Sequence, residues 1–166
     1  LTATNRVGFH KYVFPKDDNA FVTLDLTHRD DVIESSFKQI NDYEIEGMRR
    51  SSSWARDQYI YFVARFNQPI QNLNLALNDT LINQTEAYGK NIKVAFDFGQ
   101  IKNKNLLLKV GISAVSTDGA RKNLDAELAD WDFKRVKKEA RKEWNKELTK
   151  IDIKSSKDNK TIFYTA

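Results

Sequence analysis

The chain has 166 residues, 40% apolar and 30% charged, with ten Phe, six Tyr and three Trp, enough for one globular domain with an appendage. It has no cysteine and only two histidines, His10 and His28, which excludes disulfides, thiolate zinc sites, cysteine nucleophiles and a histidine-rich metal centre. The net charge of +4 is not a nucleic-acid footprint: residues 1–118 are balanced, and most of the excess falls in 119–150, where ten Lys and Arg mix with seven Asp and Glu, the pattern of a solvated helix face. No apolar run is long enough to span a bilayer. The chain opens on Leu1-Thr2-Ala3-Thr4, without a signal peptide or initiator Met, as expected of a processed or excised segment or of a start chosen in cloning.

The first two-thirds carry strand patterns. Residues 7–14 and 20–26 are rich in aromatic and β-branched side chains, with 15–19 as the turn between them. Residues 35–40 and 43–48 flank Asn41-Asp42, a two-residue hairpin turn. Gln58–Phe66 alternates most clearly: Ile60, Phe62, Ala64 and Phe66 form the core face, and Tyr59, Tyr61, Val63 and Arg65 point the other way, toward a possible neighbour. Residues 73–77 and Thr80–Ile82 flank a turn at Asn78-Asp79. Val94, Phe96 and Phe98 alternate with Lys93, Ala95 and Asp97. Residues 106–115 form a longer apolar run, interrupted by Lys109 and Gly111. Short strands at this spacing, with no helix between them, predict an antiparallel β-sandwich.

The period changes after Ser116. Thr117 or Asp118 could cap a helix running through Leu128, and Asp130 could cap a second. Phe133, Val136, Ala140, Trp144, Leu148 and Ile151 recur at three- and four-residue spacing and form one apolar stripe opposite a Lys/Arg/Glu face. Charge pairs on that face are worth only about 0.2–0.5 kcal/mol each, so packing of the stripe must hold the helix. Residues 155–160 form a polar break before the apolar segment 161–166.

Chemistry-bearing residues are sparse. Asp17-Asp18 and Asp30-Asp31 could bind a cation, but adjacent acids in turns are ordinarily solvated and no calcium-loop spacing follows them. His28, beside Arg29 and Asp30, is a structural histidine or part of a polar cluster at a strand end. Arg49-Arg50-Ser51-Ser52-Ser53-Trp54 gathers cations, hydroxyls and an indole after a strand. Arg49 and Trp54 are therefore the candidate sugar-binding residues, the alternative being a loop whose Trp54 closes the core. Gly111 and Gly119 form no phosphate-binding motif. From the residues alone the chain is a β-sandwich with helices and no recognisable catalytic site.

Several stretches together resemble glycoside hydrolase family 92. They are Leu1-Thr2-Ala3-Thr4-Asn5-Arg6-Val7-Gly8-Phe9-His10-Lys11-Tyr12; Gly47-Met48-Arg49-Arg50-Ser51 with Trp54-Ala55; and Gln58-Tyr59-Ile60-Tyr61-Phe62-Val63-Ala64. The most specific runs from Lys109-Val110-Gly111-Ile112-Ser113 through Gly119-Ala120-Arg121-Lys122-Asn123-Leu124 to Trp131-Asp132-Phe133, Trp144-Asn145 and Ile162-Phe163-Tyr164-Thr165-Ala166. Ser53 stands where the family often has Gly.

The resemblance implies a fragment of a calcium-dependent, inverting exo-α-mannosidase. Residues 1–116 would be part of the N-terminal β-sandwich, an incomplete galactose-mutarotase-like supersandwich. Residues 117–152 would be a helical linker, and 153–166 the start of an (α/α)6 catalytic domain. The catalytic acid and base and the calcium ligands are expected beyond this chain, so no catalytic or metal residue is assigned within it. The expected partners are mannose-containing glycans and the remaining catalytic domain, with no nucleic acid and no membrane-spanning segment. The expected location is bacterial and periplasmic, secreted or cell-surface. The competing expectation is a stand-alone carbohydrate-binding module built around Trp54.

Overall fold

The computed structural model describes residues 1–15, 18–101 and 105–165. Asp17 of the first acidic pair, the middle of the expected 15–19 turn and Ala166 lie outside the described residues. The strands are β1 (Thr2–Ala3), β2 (Val7–Val13), β3 (Asn19–Asp25), β4 (Asp31–Asn41), β5 (Glu44–Ser52), β6 (Gln58–Phe66), β7 (Asn72–Leu77), β8 (Thr80–Ile82), β9 (Glu86–Gly89), β10 (Ile92–Gln100) and β11 (Asn105–Ser113). The helices α1 (Thr117–Glu127), α2 (Phe133–Leu148) and α3 (Lys157–Thr165) follow.

The strands form two antiparallel sheets. One has seven strands in the order β1-β2-β11-β6-β5-β4-β9, and the other has four, β3-β10-β7-β8. Their facing sides supply the main core. Phe37, Ile45, Phe62, Ala64, Phe66, Leu106 and Leu108 of the larger sheet meet Ala20, Leu75, Ile92, Val94, Phe96 and Phe98 of the smaller one, all buried. The Phe66 ring lies 5.6 Å from Phe96 and 4.9 Å from Phe98, tilted contacts that suit the ring quadrupoles. Each such buried aromatic contributes about 1.5–3 kcal/mol over leaving it in water. Gly47 is a close-approach point: a Cβ there would lie 2.3 Å from the Ser36 carbonyl oxygen and 2.6 Å from Phe62 Cζ.

The turns differ in how well their residue types predict them. Asn78 and Asp79 form the β7–β8 turn at positive φ, 51° and 61°, the left-handed pair that a two-residue hairpin requires. The β4–β5 turn is displaced by one residue from the expected Asn41-Asp42. Asn41 stays in the ladder opposite Glu44, because its side-chain oxygen accepts the Tyr43 N–H at 2.8 Å. Asp42 and Tyr43 therefore make the bend. β1 and β9 carry too little apolar alternation to be expected from sequence. Both are short edge strands, held by pairing to β2 and β4.

The outer face of the larger sheet carries a second core. Val7 and Phe9 from β2 and Val63 from β6 pack against Ala120 and Leu124 of α1, Leu128, and Val136 of α2. The centre of β6 is therefore buried on both faces. Ser116, in extended conformation, caps α1 by accepting the Gly119 N–H at 3.0 Å, in place of the expected Thr117 or Asp118. Asp118 instead lies in the first turn, where its charge favours the helix dipole. Asp132 rather than Asp130 caps α2, accepting the Arg135 N–H at 2.9 Å. Asp130 is engaged by the Asp132 N–H and the Arg135 guanidinium.

The expected α2 stripe is divided. Phe133 and Val136 dock on the sandwich, whereas Trp144, Leu148 and Ile151 are 69%, 37% and 59% exposed. The Tyr164 hydroxyl of α3 donates to the Ile151 carbonyl at 2.7 Å. No helix among the described residues is long and apolar enough to cross a membrane.

Candidate functional site

Arg49 and Trp54 do not form one site. Alternation along β5 places Arg49 on the inner face with Ile45 and Gly47. Its guanidinium donates to the carbonyls of Leu26 at 2.8 Å, His28 at 3.1 Å and Asp30 at 3.1 Å, and to the Ser51 hydroxyl at 3.1 Å. Those bonds fasten the β3–β4 connection, His28 included. Arg49 also lines an open apolar cleft of about 290 Å³ between the sheets, with Val22, Leu24, Phe62 and Val110. Trp54, on the β5–β6 loop, is fully exposed.

Arg50, one residue on, faces outward into a cluster the sequence did not single out. It donates to both Asp57 oxygens at 2.8 and 2.9 Å and to Glu34 at 3.3 Å, and lies 4.9 Å from the Tyr59 ring centre. Tyr88 donates its hydroxyl to Glu34. That bond, followed by the Arg50 contacts, holds the Glu34 carboxyl below its ordinary range, and Arg50 does the same for Asp57. The signal for this cluster is the strand period alone: residues 48, 50, 59 and 61 must share the outer face.

Denser chemistry lies where α1 sits on the larger sheet. Arg65 of β6 bonds Glu44 and Asp125. Arg121 of α1 bonds Glu46 at 2.6 Å and lies 2.9 Å from Glu44. Glu127 accepts the Thr4 hydroxyl at 2.6 Å, the Arg6 N–H at 2.9 Å and the Arg6 guanidinium at 2.6 Å. Burial opposes the charge of Glu127, but these donors outweigh it and depress its pKa. Arg-paired carboxylates of this kind lock a helix to a sheet and are poorly suited to proton transfer. Lys109 of β11 lies among them, almost fully buried, and donates to the Leu128 carbonyl at 3.0 Å and the Ala129 carbonyl at 3.3 Å.

His10 bonds the Tyr12 hydroxyl through Nδ1 at 2.9 Å, and burial lowers its pKa. Asp31 begins β4, and Asp30 lies 3.9 Å from Arg49. Among the described residues no three His, Asp or Glu side chains converge to hold a metal ion. Calcium takes about 6–8 oxygen ligands, and these residues do not fit it.

The sequence model of the glycosyl hydrolase family 92 N-terminal domain matches residues 1–113, and that of the family 92 catalytic domain matches 119–166. The chain belongs to glycosyl hydrolase family 92. The break between the two matched regions falls at the entry to α1, so the second core joins one family domain to the other.

Among solved structures, the family GH92 α-mannosidase BT3965 from Bacteroides thetaiotaomicron is 30% identical with a TM-score of 0.88. The match covers 98% of this chain and 23% of that one. The same enzyme is known in complex with mannoimidazole. The GH92 glycosyl hydrolase ccman5 is 25% identical, TM-score 0.87, over 98% of this chain and 23% of its own. The inverting mannosidase BT2199 from Bacteroides thetaiotaomicron VPI-5482 shares the fold, at 23% identity and TM-score 0.85, over 98% of this chain and 22% of that one. The chain thus spans less than a quarter of the length of the structures it matches. No curated protein matches it.

Proposed function

We propose that this chain is the non-catalytic part of an inverting exo-α-mannosidase, often α-1,2-specific, that releases mannose from N-glycans or mannans. Residues 1–116 are part of the sandwich, 117–152 the linker and 153–166 the start of the (α/α)6 catalytic domain. The sandwich packs on that domain and forms one wall of the active-site cleft. The observation that carries this reading is the succession of the two family domains along one chain, joined through α1. The uncovered half of the α2 stripe supports a further packing partner on the catalytic side.

Inversion uses a general acid and a general base about 6.5–9.5 Å apart, with a water between them. In this reading both carboxyls, and the ligands of a calcium ion, lie on parts of the whole protein outside these residues. What this chain contributes is a fixed wall and a rigid exit path. The associated location is bacterial and periplasmic, secreted or cell-surface.

The test is mannose release from α-1,2-mannobiose by the whole protein, with the anomer followed by NMR and calcium removed by chelation. The expected result is β-mannose as first product and loss of activity on chelation. An α-anomer, or no hydrolysis of any α-mannoside, would refute it. The full exposure of Trp54 favours a second reading, a glycan-binding module. Glycan affinity of this chain that disappears in Trp54→Ala, with an inactive whole protein, would establish that one instead.

A further inference from the structure

Lys109 is the one buried cation among the described residues. It projects from β11 on the face that carries α1, is 2% exposed, and ranks with the buried core. Buried lysines are ordinarily paired with a carboxylate. Lys109 instead donates to two carbonyls, those of Leu128 and Ala129, and its Nζ lies 3.9 Å from the centre of the Trp131 ring. These three residues belong to the five-residue connection 128–132 between α1 and α2. Leu128 closes α1 as its C-cap, where unpaired carbonyls collect and a cation suits the dipole. Trp131 in turn packs on Phe9, at 6.1 Å between ring centres.

We propose that Lys109 is the positioning residue of the junction. Its ammonium, clamped between the carbonyls of the α1 C-cap and the residue after it and the face of Trp131, fixes the direction in which the chain leaves the sandwich for α2. This concerns the junction itself and holds whatever sugar the whole protein cleaves. A methionine of similar length would fill the same space but could neither bond the carbonyls nor face the ring as a cation. The lysine therefore gives direction where an apolar residue would give only packing. On stability grounds a buried charge is the poorer choice.

The charged groups around Lys109 are Arg65 of β6, Asp125 of α1 and Asp130 of the connection, the last already held by Arg135 of α2. β2 presents Phe9 opposite Lys109. Burial dominates and lowers the Lys109 pKa to about 8, with Asp130 opposing it, Arg65 adding to it and Asp125 opposing it. The folded chain thus holds fewer protons than the unfolded chain between about pH 8 and the ordinary lysine pKa of 10.5. Over that window the cost of burying the charge is relieved, so stability relative to Lys109→Met rises with pH. The ring loses its cation over the same range.

The test uses the chain carrying Trp54→Phe and Trp144→Phe, both exposed positions, which leaves Trp131 as the sole tryptophan, excited selectively beyond the tyrosine band. Its fluorescence is expected to titrate with a midpoint near pH 8. Lys109→Met should abolish that transition, and Lys109→Arg, which keeps its charge, should flatten it. Amide exchange at residues 128–133 is expected to quicken about tenfold in Lys109→Met, while amides in the middle of α1 stay protected. A flat titration with Lys109 present, or one that persists in Lys109→Met, would overturn the proposal. So would unchanged exchange at 128–133 in a folded Lys109→Met chain. If that variant does not fold, the same exchange measurement at residues 128–133 in Lys109→Leu decides, unchanged protection overturning the proposal.

Discussion

Phe9→Ala is expected to cost about 3–5 kcal/mol, the usual range for deleting a buried aromatic and leaving a cavity. Phe9 is completely buried. Its ring lies 5.3 Å from Phe133 and 6.1 Å from Trp131, so it touches both the approach to α2 and its first turn. Domains of this size are stable by only about 5–15 kcal/mol, so the loss should appear as a large fall in the denaturant midpoint. It should fall on the second core rather than on the space between the sheets. Trp144→Ala is the internal comparison. Trp144 is 69% exposed, and its removal should change stability by no more than about 0.5 kcal/mol. Equal losses for the two variants would contradict the division of the helical segment into a docked and an uncovered half.

Gly111→Val should release α1. A Cβ at Gly111 would lie 2.6 Å from the Ala120 carbonyl oxygen and 2.8 Å from Leu124 Cβ. These are backbone and a core side chain, which cannot swing aside. Forcing them apart costs about 1–3 kcal/mol, occasionally more. It also moves α1 away from the arginines that bind Asp125 and Glu127. Amide exchange in α1 should accelerate while β10, flanked by β3 and β7 in the smaller sheet, stays protected. An unchanged melting curve with α1 still protected would show that the sheet has room for a side chain there.

How much of this was legible in the sequence depends on how local the cause is. The inner face of β6 follows from the alternation of Ile60, Phe62, Ala64 and Phe66, a period imposed by the strand itself. What covers Val63 does not follow, because the cover is Leu124 and its neighbours, brought over the sheet only by tertiary folding. Lys109 and Gly111 look like interruptions of an apolar run. In the structure they are the two places where β11 accommodates α1, one by a buried charge and one by the lack of a side chain.

Asn78-Asp79 was legible because both residue types tolerate the left-handed conformation. The β4–β5 turn slipped by one because the Asn41 side chain chose the Tyr43 N–H. The helix caps were ambiguous by a residue or two, since Ser116, Thr117 and Asp118 are all able to cap.

The candidate sugar-binding pair shows the limit of adjacency. Arg49 and Trp54 are close in sequence, but the pleat turns Arg49 inward to carbonyls of the β3–β4 connection and leaves Trp54 in solvent. Arg50, its neighbour, is the residue that meets acids and tyrosines on the open face. Family membership was legible for another reason: ordered motifs from Leu1 to the α3 helix identify it together, although none does so alone.

The most direct test of a non-catalytic role is mannose release by the purified 166-residue chain, incubated with α-1,2-mannobiose and calcium. The expected result is no release above the uncatalysed rate, because the carboxylates gathered where α1 meets the sheet, Glu44, Glu46, Asp125 and Glu127, are held by arginines. Calcium-dependent release of mannose by this chain alone would contradict that role and place a catalytic acid and base within these residues.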